Sequence, residues 1–77
     1  MFIVKIKRYD PTTTSHRDLE IQVPGQKRGV TGSTSCIDTA LHEANLVIKG
    51  MIEEANGIPN RKLKDFVTFR IYMIGEI

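Results

Sequence analysis

The residues of this sequence that could do nucleophilic chemistry are one cysteine and two histidines. Cys36 lies near the start of a predicted helix, where free backbone amides and the helix dipole lower a thiol pKa. A catalytic cysteine also needs a base within reach. His42 follows six residues later, about 240° around a helix, so it faces away from Cys36. His16 could approach the thiol only through the fold. We therefore expect no nucleophile–base pair and no enzyme.

The acidic side chains are scattered rather than gathered into a site. None of them falls within an apolar strand face, where paired acids for proton transfer or metal binding are expected. The histidine spacing does not resemble a metal site, and one cysteine excludes a cysteine-based zinc site or an iron–sulfur cluster. We expect no metal, no cofactor and solvated carboxylates. These are Asp10, Asp18, Asp38, Glu43, Glu53, Glu54 and Asp65.

A glycine-rich stretch over residues 29–35 precedes the predicted helix, a position that suits phosphate. The P-loop pattern needs a lysine followed by serine or threonine after its last glycine, and this step is absent. A turn that caps the helix is the favoured interpretation, and anion binding by residues 24–35 stays open.

Positive charge is split along the chain. Residues 1–33 hold six Lys/Arg against three Asp/Glu, residues 34–57 one against four, and residues 58–77 four against two, which sums to +2. A dedicated nucleic-acid binder concentrates more positive charge, interleaved with aromatic residues. A nucleic-acid-binding module is therefore the alternative hypothesis, and its candidate residues are Lys27, Arg28, Arg61, Lys62 and Lys64.

Protein contact is the favoured hypothesis for the exposed surface. Leu46 points away from the apolar stripe of the helix and is framed by polar residues, as an anchor in a small contact would be. The outer face of the sheet is a second candidate surface, and an edge strand could accept another chain. The candidate protein-binding residues are His42, Leu46, Lys49, Glu53, Arg70 and Tyr72.

The elements that position these residues follow from periodicity. Residues 2–9 alternate as a strand, and residues 19–23 form a second strand that pairs with it as a hairpin with a long polar tip. Glu20 would then lie near Lys5 or Lys7. A short edge strand over residues 27–31 is an open alternative to a simple loop. Residues 66–74 form the last strand, with Met73 on the same face as Val67, Phe69 and Ile71.

The helix is the clearest element. Ser35 is the expected N-cap, with Asp38 three residues later. Asn56 and Gly57 predict a left-handed stop before Pro59. Gly50 lies off the apolar stripe and costs about 1 kcal/mol against alanine. The stripe expected to be buried comprises Ile37, Ala40, Leu41, Ala44, Ile48, Met51, Ile52 and Ala55.

These elements predict one α+β domain over residues 1–77. It is a two-layer sandwich of a mostly antiparallel, three- to four-stranded sheet with one helix on one face, in the order β-β-(β)-α-β. Seventy-seven residues leave no room for two cores, and 40% apolar with 26% charged residues is ordinary for a globular protein. No run of 18 apolar residues and no signal peptide is visible, so we expect a cytoplasmic protein without membrane contact.

Several short segments resemble the HicB family of antitoxins. These are Val23-Pro24, Gly29-Val30-Thr31-Gly32, Ala40-Leu41 and Gly57-Ile58-Pro59. The resemblance covers nearly the whole chain and implies a partial RNase H-like fold, β-β-β-α-β, and a role in binding and masking a small toxin. Residues 4–11 are also similar to the opening of succinate dehydrogenase iron–sulfur subunits, which keeps a β-grasp fold as an alternative.

The sequence therefore predicts a small, non-enzymatic protein that binds and inhibits or masks a protein partner. An antitoxin-like protein or a phage-type inhibitor of a host or defence protein fits this description. A homodimer is a further expectation, because a chain of this size gains stability from self-association.

Overall fold

The computed structural model describes residues 1–26 and 36–77, which fold as one sheet and one helix. The elements are strand β1 (Phe2–Asp10), strand β2 (Ser15–Val23), helix α1 (Ile37–Asn56), a 3-10 turn (Leu63–Asp65) and strand β3 (Thr68–Glu76). The sheet order is β2-β1-β3, and β1 pairs antiparallel with both neighbours. This confirms the α+β class. The short strand considered over residues 27–31 lies outside the described residues.

The β1–β2 hairpin has the expected pairing but a shorter tip. Lys5 lies opposite Glu20, and Lys7 opposite Asp18, with 4.0 Å between Lys7 Nζ and Asp18 Oδ1. The long polar tip is wrong, because β2 begins at Ser15 and its ladder continues to the end of β1. The Tyr9 and His16 rings, 4.7 Å apart between centroids, are one of the pairs that extend it.

The hairpin turn is closed by Asp10. Its Oδ1 accepts hydrogen bonds from the Thr12 backbone N–H (3.0 Å) and hydroxyl (2.6 Å). The Thr12 hydroxyl, then its backbone N–H, lower the pKa of Asp10, and nearby Arg8 and Arg61 add to this. Thr14 completes the turn with a φ of 51°. A carboxylate in this position holds the turn in place of further strand hydrogen bonds.

The core lies between one face of the sheet and the helix. Small side chains let the helix approach the sheet closely, so the contact is centred on Ala40 and Ala44. Leu19, Ile21, Phe69, Ile71 and Ile74 pack partly buried at its edges. The buried apolar residues of the described chain are Phe2, Val4, Ile6, Val23, Ala40, Ala44, Ile48 and Val67.

Three residues of the apolar stripe are not buried as expected. Ile37 is 49% exposed, Leu41 40% and Ile52 38%. A sheet of three strands is only about 14 Å wide, since neighbouring strands lie about 4.8 Å apart. Because the contact is centred on Ala40 and Ala44, this narrow sheet does not reach the edge of the stripe that carries Ile37, Leu41 and Ile52.

The start of the helix is tied to the loop that follows β2. The N-cap is Cys36 rather than Ser35, and the Cys36 N–H donates to the Gly25 carbonyl (2.7 Å). Gly25 has a φ of +64°, and a Cβ there would lie 2.7 Å from the Phe2 ring. The Gly25 N–H donates to Glu43 Oε2 (3.0 Å), so Glu43 is not merely solvated.

The end of the helix differs from the predicted left-handed stop. Gly57 has a φ of −76°, within the ordinary right-handed range. Glycine fits there because a Cβ would lie 2.7 Å from the Glu53 carbonyl oxygen. Asn56 instead joins the helix to the chain before β3. Its Nδ2 donates to the Val67 carbonyl (2.9 Å), and the Val67 N–H donates to its Oδ1 (2.7 Å).

A β-bulge changes the inward-facing residues of β3. Ile6 pairs with Ile71 and Lys5 with Met73, so Tyr72 is an extra residue in this strand. Beyond the bulge, Ile74 packs against the core, while Met73 is 40% exposed. The expectation that Met73 shares the face of Phe69 and Ile71 is therefore wrong, because simple alternation does not anticipate an inserted residue.

Candidate functional site

The residues predicted to contact a protein lie on two opposite faces of the molecule. His42, Leu46, Lys49 and Glu53 are exposed on the side of the helix that faces away from the sheet, and Leu46 is 58% exposed. Arg70 and Tyr72 lie on the uncovered face of the sheet; we call that face, with Lys5, Lys7, Glu20 and Gln22, the outer sheet face. Both groups cannot touch one flat partner surface at once.

Lys7 makes two side-chain contacts on the outer sheet face. Besides its contact with Asp18, the Lys7 ammonium lies 5.2 Å from the centroid of the Tyr72 ring, which is cation–π distance. Lys5 and Glu20 oppose each other across β1 and β2. The Lys7 and Asp18 side chains stay largely exposed, so their contact leaves this face accessible.

The pKa of the Cys36 thiol is lowered, but His16 is too distant to act as its base. The thiol makes no capping hydrogen bond of ordinary geometry, yet the backbone N–H groups of Thr39, then Asp38, face it and lower the pKa of the thiol. His16 lies at the far end of β2, about 23 Å along the strand from Val23 at about 3.3 Å per residue, whereas Cys36 bonds to Gly25 just beyond Val23. In the described ranges, 1–26 and 36–77, no three His, Cys, Asp or Glu residues could together hold a metal ion.

Three residues of the nucleic-acid hypothesis lie close together in the described chain, around the 3-10 turn. Arg61 is half-buried, while Lys62 and Lys64 are exposed beside the 3-10 turn. Lys27 and Arg28 lie outside the described residues. The neighbouring Tyr9 and His16 rings, tilted by 32°, supply an aromatic pair that the sequence did not reveal.

A partly exposed apolar surface along the helix was also missed. Leu41 and Ile52 are eleven residues apart, so they lie on nearly the same side of the helix. Ile52 lines an apolar groove of about 470 Å³ with Phe66 and Phe69, and Leu63, 82% exposed, stands at its edge. We call Ile37, Leu41, Ile52 and Leu63 the flank surface. The wide apolar stripe was the available signal, because it exceeds what one narrow sheet can cover.

A second missed site is a cleft of about 520 Å³ on the other side of the helix, which we call the arginine cleft. Its walls carry Arg8, Arg17 and Arg61 together with Asp10 and Glu54. Its floor is apolar and consists of Leu19, Met51, Ala55, Ile58, Val67 and Phe69.

The sequence contained a signal for the arginine cleft. In a strand, alternate residues share a face, so Arg8 lies in phase with buried Ile6, and Arg17 with half-buried Leu19. Two arginines on the core-facing side of paired strands, close to the strand ends, indicate where the core opens to solvent.

No protein family, curated protein or solved structure matches the chain. No helix among residues 1–26 and 36–77 is long and apolar enough to cross a membrane. The class that the fold defines is a small α+β domain, in which residues 1–26 and 36–77 form one helix on a three-stranded antiparallel sheet.

Proposed function

We propose that this protein acts by binding and masking a protein partner, as antitoxins and phage-type inhibitors do, and not by catalysis. The observation that carries the proposal is the flank surface, where three residues of the helix's apolar stripe stay open beside the exposed Leu63. An unpartnered apolar stripe of this kind is typical of an interaction site. The resemblance to HicB antitoxins supports the same role.

The balance of apolar side chains supports the proposal. Six large apolar side chains are buried in the described chain, whereas eleven are exposed. Single exposed apolar residues are ordinary, but a small domain gains little stability from so small a core. Covering the flank surface with a partner would remove this apolar area from water and stabilise both proteins.

The partner contact can be tested by affinity capture with variant proteins. We expect wild-type protein to retain one partner stoichiometrically, and Ile52→Lys to bind the purified partner at least about tenfold more weakly, as for a buried anchor. Val47→Lys is the matched control, because Val47 is similarly exposed on the same helix but on its other side. It should change affinity less than about twofold.

The same experiment distinguishes the other faces. Leu46→Lys tests the side of the helix away from the sheet, and Tyr72→Ser tests the outer sheet face. Capture of no stoichiometric protein would contradict the function, and equal loss with Ile52→Lys and Val47→Lys would contradict its placement on the flank surface. A second copy of the chain as occupant would be seen as a concentration-dependent dimer in sedimentation.

Nucleic-acid binding is the second candidate, favoured by the exposed Lys62 and Lys64 beside the half-buried Arg61. It predicts affinity that falls steeply with salt. Charge reversal of Lys27 and Arg28 should then weaken binding. Undetectable binding at low ionic strength would remove this candidate.

A further inference from the structure

We propose that the arginine cleft binds an acidic–apolar peptide segment, in which one aliphatic or aromatic side chain is flanked by aspartate or glutamate. The apolar side chain would lie on the floor of the cleft, and the flanking carboxylates would pair with Arg8, Arg17 and Arg61. The inference rests on the proposed function, because its occupant is part of a protein partner.

The three arginines converge from separate parts of the chain. Arg8 is on β1, Arg17 on β2, and Arg61 follows the helix. None of their guanidinium groups makes a hydrogen bond, or an ion pair within 4.0 Å, to another residue of ranges 1–26 and 36–77. Their donors are therefore available to a ligand from outside the described chain.

The register places two of the positive charges side by side. Arg8 and Arg17 are direct cross-strand partners, and like charges directly opposite each other repel. A carboxylate between two guanidinium groups would replace this repulsion with charge-assisted hydrogen bonds. The planar fork of arginine fits a carboxylate with two parallel bonds, which favours a carboxylate ligand on geometry as well as charge.

The floor requires an apolar part in the ligand. Ile58 is 54% exposed at this cleft, and the half-buried Met51 and Ala55 also line it. A volume of about 520 Å³ exceeds a single ion and accommodates a few side chains. A purely ionic ligand would leave this apolar surface in water, whereas an apolar side chain would cover it.

The charge of the rim favours a peptide over a nucleic acid. Asp10 and Glu54 also line the cleft, so three positive charges face two negative ones, a net of +1. Asp10 stays ionised because its hydrogen bonds from Thr12, then the charges of Arg8 and Arg61, lower its pKa. A phosphate backbone needs a run of cations and would be repelled by these carboxylates. A short peptide can place its carboxylates at the arginines alone.

Selection from a phage-displayed random dodecapeptide library tests the ligand class. Wild-type protein is the bait. Phage that also bind Arg61→Gln protein are discarded, because their peptides bind outside the arginine cleft. We expect the selected peptides to share an apolar residue flanked by Asp or Glu. Absence of that pattern would overturn the inference.

Affinity measurements on a fluorescein-labelled selected peptide locate its site. We expect Arg61→Gln and Arg8→Gln each to weaken binding at least about tenfold, the usual loss for a charged hydrogen bond. Lys62→Gln is the matched control, because it removes one charge from the neighbouring residue, which does not line the cleft. It should change affinity less than about twofold, and equal losses from Arg61→Gln and Lys62→Gln would contradict a specific cleft.

Amide chemical shifts measured during the titration keep the test independent of any folding defect. We expect wild-type protein to show shifts at Met51, Ala55 and Ile58 when the peptide is added. Shifts confined to the outer sheet face would overturn the inference. Tighter binding of a single-stranded oligothymidylate at the same amides would overturn it in favour of nucleic acid.

The two proposals fail in different ways. If a captured partner binds wild-type and Arg61→Gln protein equally, the cleft inference fails and the protein-binding function stands. If no partner is captured, the function fails, while the peptide titration still decides whether the cleft recognises carboxylates.

Discussion

Replacing Asn56 should loosen the connection between the helix and β3. The Asn56→Ala change removes two hydrogen bonds, of 2.9 and 2.7 Å, to the backbone of Val67. Val67 is buried, so its N–H and carbonyl cannot easily bond to water instead. A net hydrogen bond contributes about 1 kcal/mol, and an unsatisfied buried partner costs about 1–3 kcal/mol.

The expected loss in the free energy of unfolding follows from these values. Two backbone groups left unsatisfied at about 1.5 kcal/mol each cost about 3 kcal/mol, and alanine recovers about 0.6 kcal/mol of helix propensity, so the net loss should be about 2–3 kcal/mol. For a domain of this size that corresponds to a fall in Tm of roughly 10–20 °C. Asn56→Asp keeps the acceptor for the Val67 N–H but loses the donor, so its loss should be intermediate.

Thermal and urea unfolding followed by circular dichroism measure this loss. The matched control is Asn45→Ala, an exposed asparagine on the same helix, which should be neutral or slightly stabilising. Hydrogen exchange at the Val67 amide should accelerate in Asn56→Ala protein. If Asn56→Ala is no less stable than Asn45→Ala, the two hydrogen bonds do not hold β3 to the helix and the reasoning is refuted.

Three further predictions concern the helix and its N-terminal loop. Gly50→Ala should stabilise the protein by about 1 kcal/mol in urea unfolding, because no atom beyond the helix backbone lies within 4 Å of an added Cβ; a loss of stability would contradict that open site. Gly25→Ala should cost about 2–4 kcal/mol in the same assay, since it combines a φ of +64° with a Cβ 2.7 Å from the Phe2 ring; an unchanged midpoint would contradict this packing. The rate at which iodoacetamide alkylates Cys36 should rise with pH at a lower midpoint in native than in urea-unfolded protein, because the Thr39 and Asp38 amides lower the thiol pKa. Identical midpoints would show that those amides do not act on the thiol.

Much of the fold could be predicted from short-range periodicity. The alternation in β1 and the apolar spacing in the helix are local patterns. The spacing of residues along the sequence was therefore enough to predict the strand and the helix. The antiparallel hairpin also followed from alternation and charge, which placed Glu20 near Lys5 or Lys7; the structure pairs it with Lys5. These predictions required no knowledge of how the layers meet.

The errors arose where tertiary contact decides the outcome. The bulge at Tyr72 depends on how β3 pairs with β1, so alternation alone placed Met73 on the wrong face. The role of Asn56 depends on Val67, eleven residues away, and not on the left-handed turn that Asn56 and Gly57 suggested. Short sequence patterns do not identify partners that are distant along the chain.

The candidate surfaces were the hardest to predict, because they depend on what the sheet fails to cover. Leu46 could be recognised as exposed from the helix alone. Ile52 could not, because its exposure depends on the narrow sheet beneath it. Arg8 and Arg17 form a cleft only when the end of the helix and Arg61 are placed above the hairpin.

The most direct test of protein binding is the mass of the complex that tagged protein recovers from its source cells. Native mass spectrometry of wild-type and Ile52→Lys protein, prepared side by side, measures it. We predict that wild-type protein carries a second, different protein in fixed stoichiometry and that Ile52→Lys protein does not. Wild-type protein recovered alone, or with nucleic acid as its sole companion, would contradict the account.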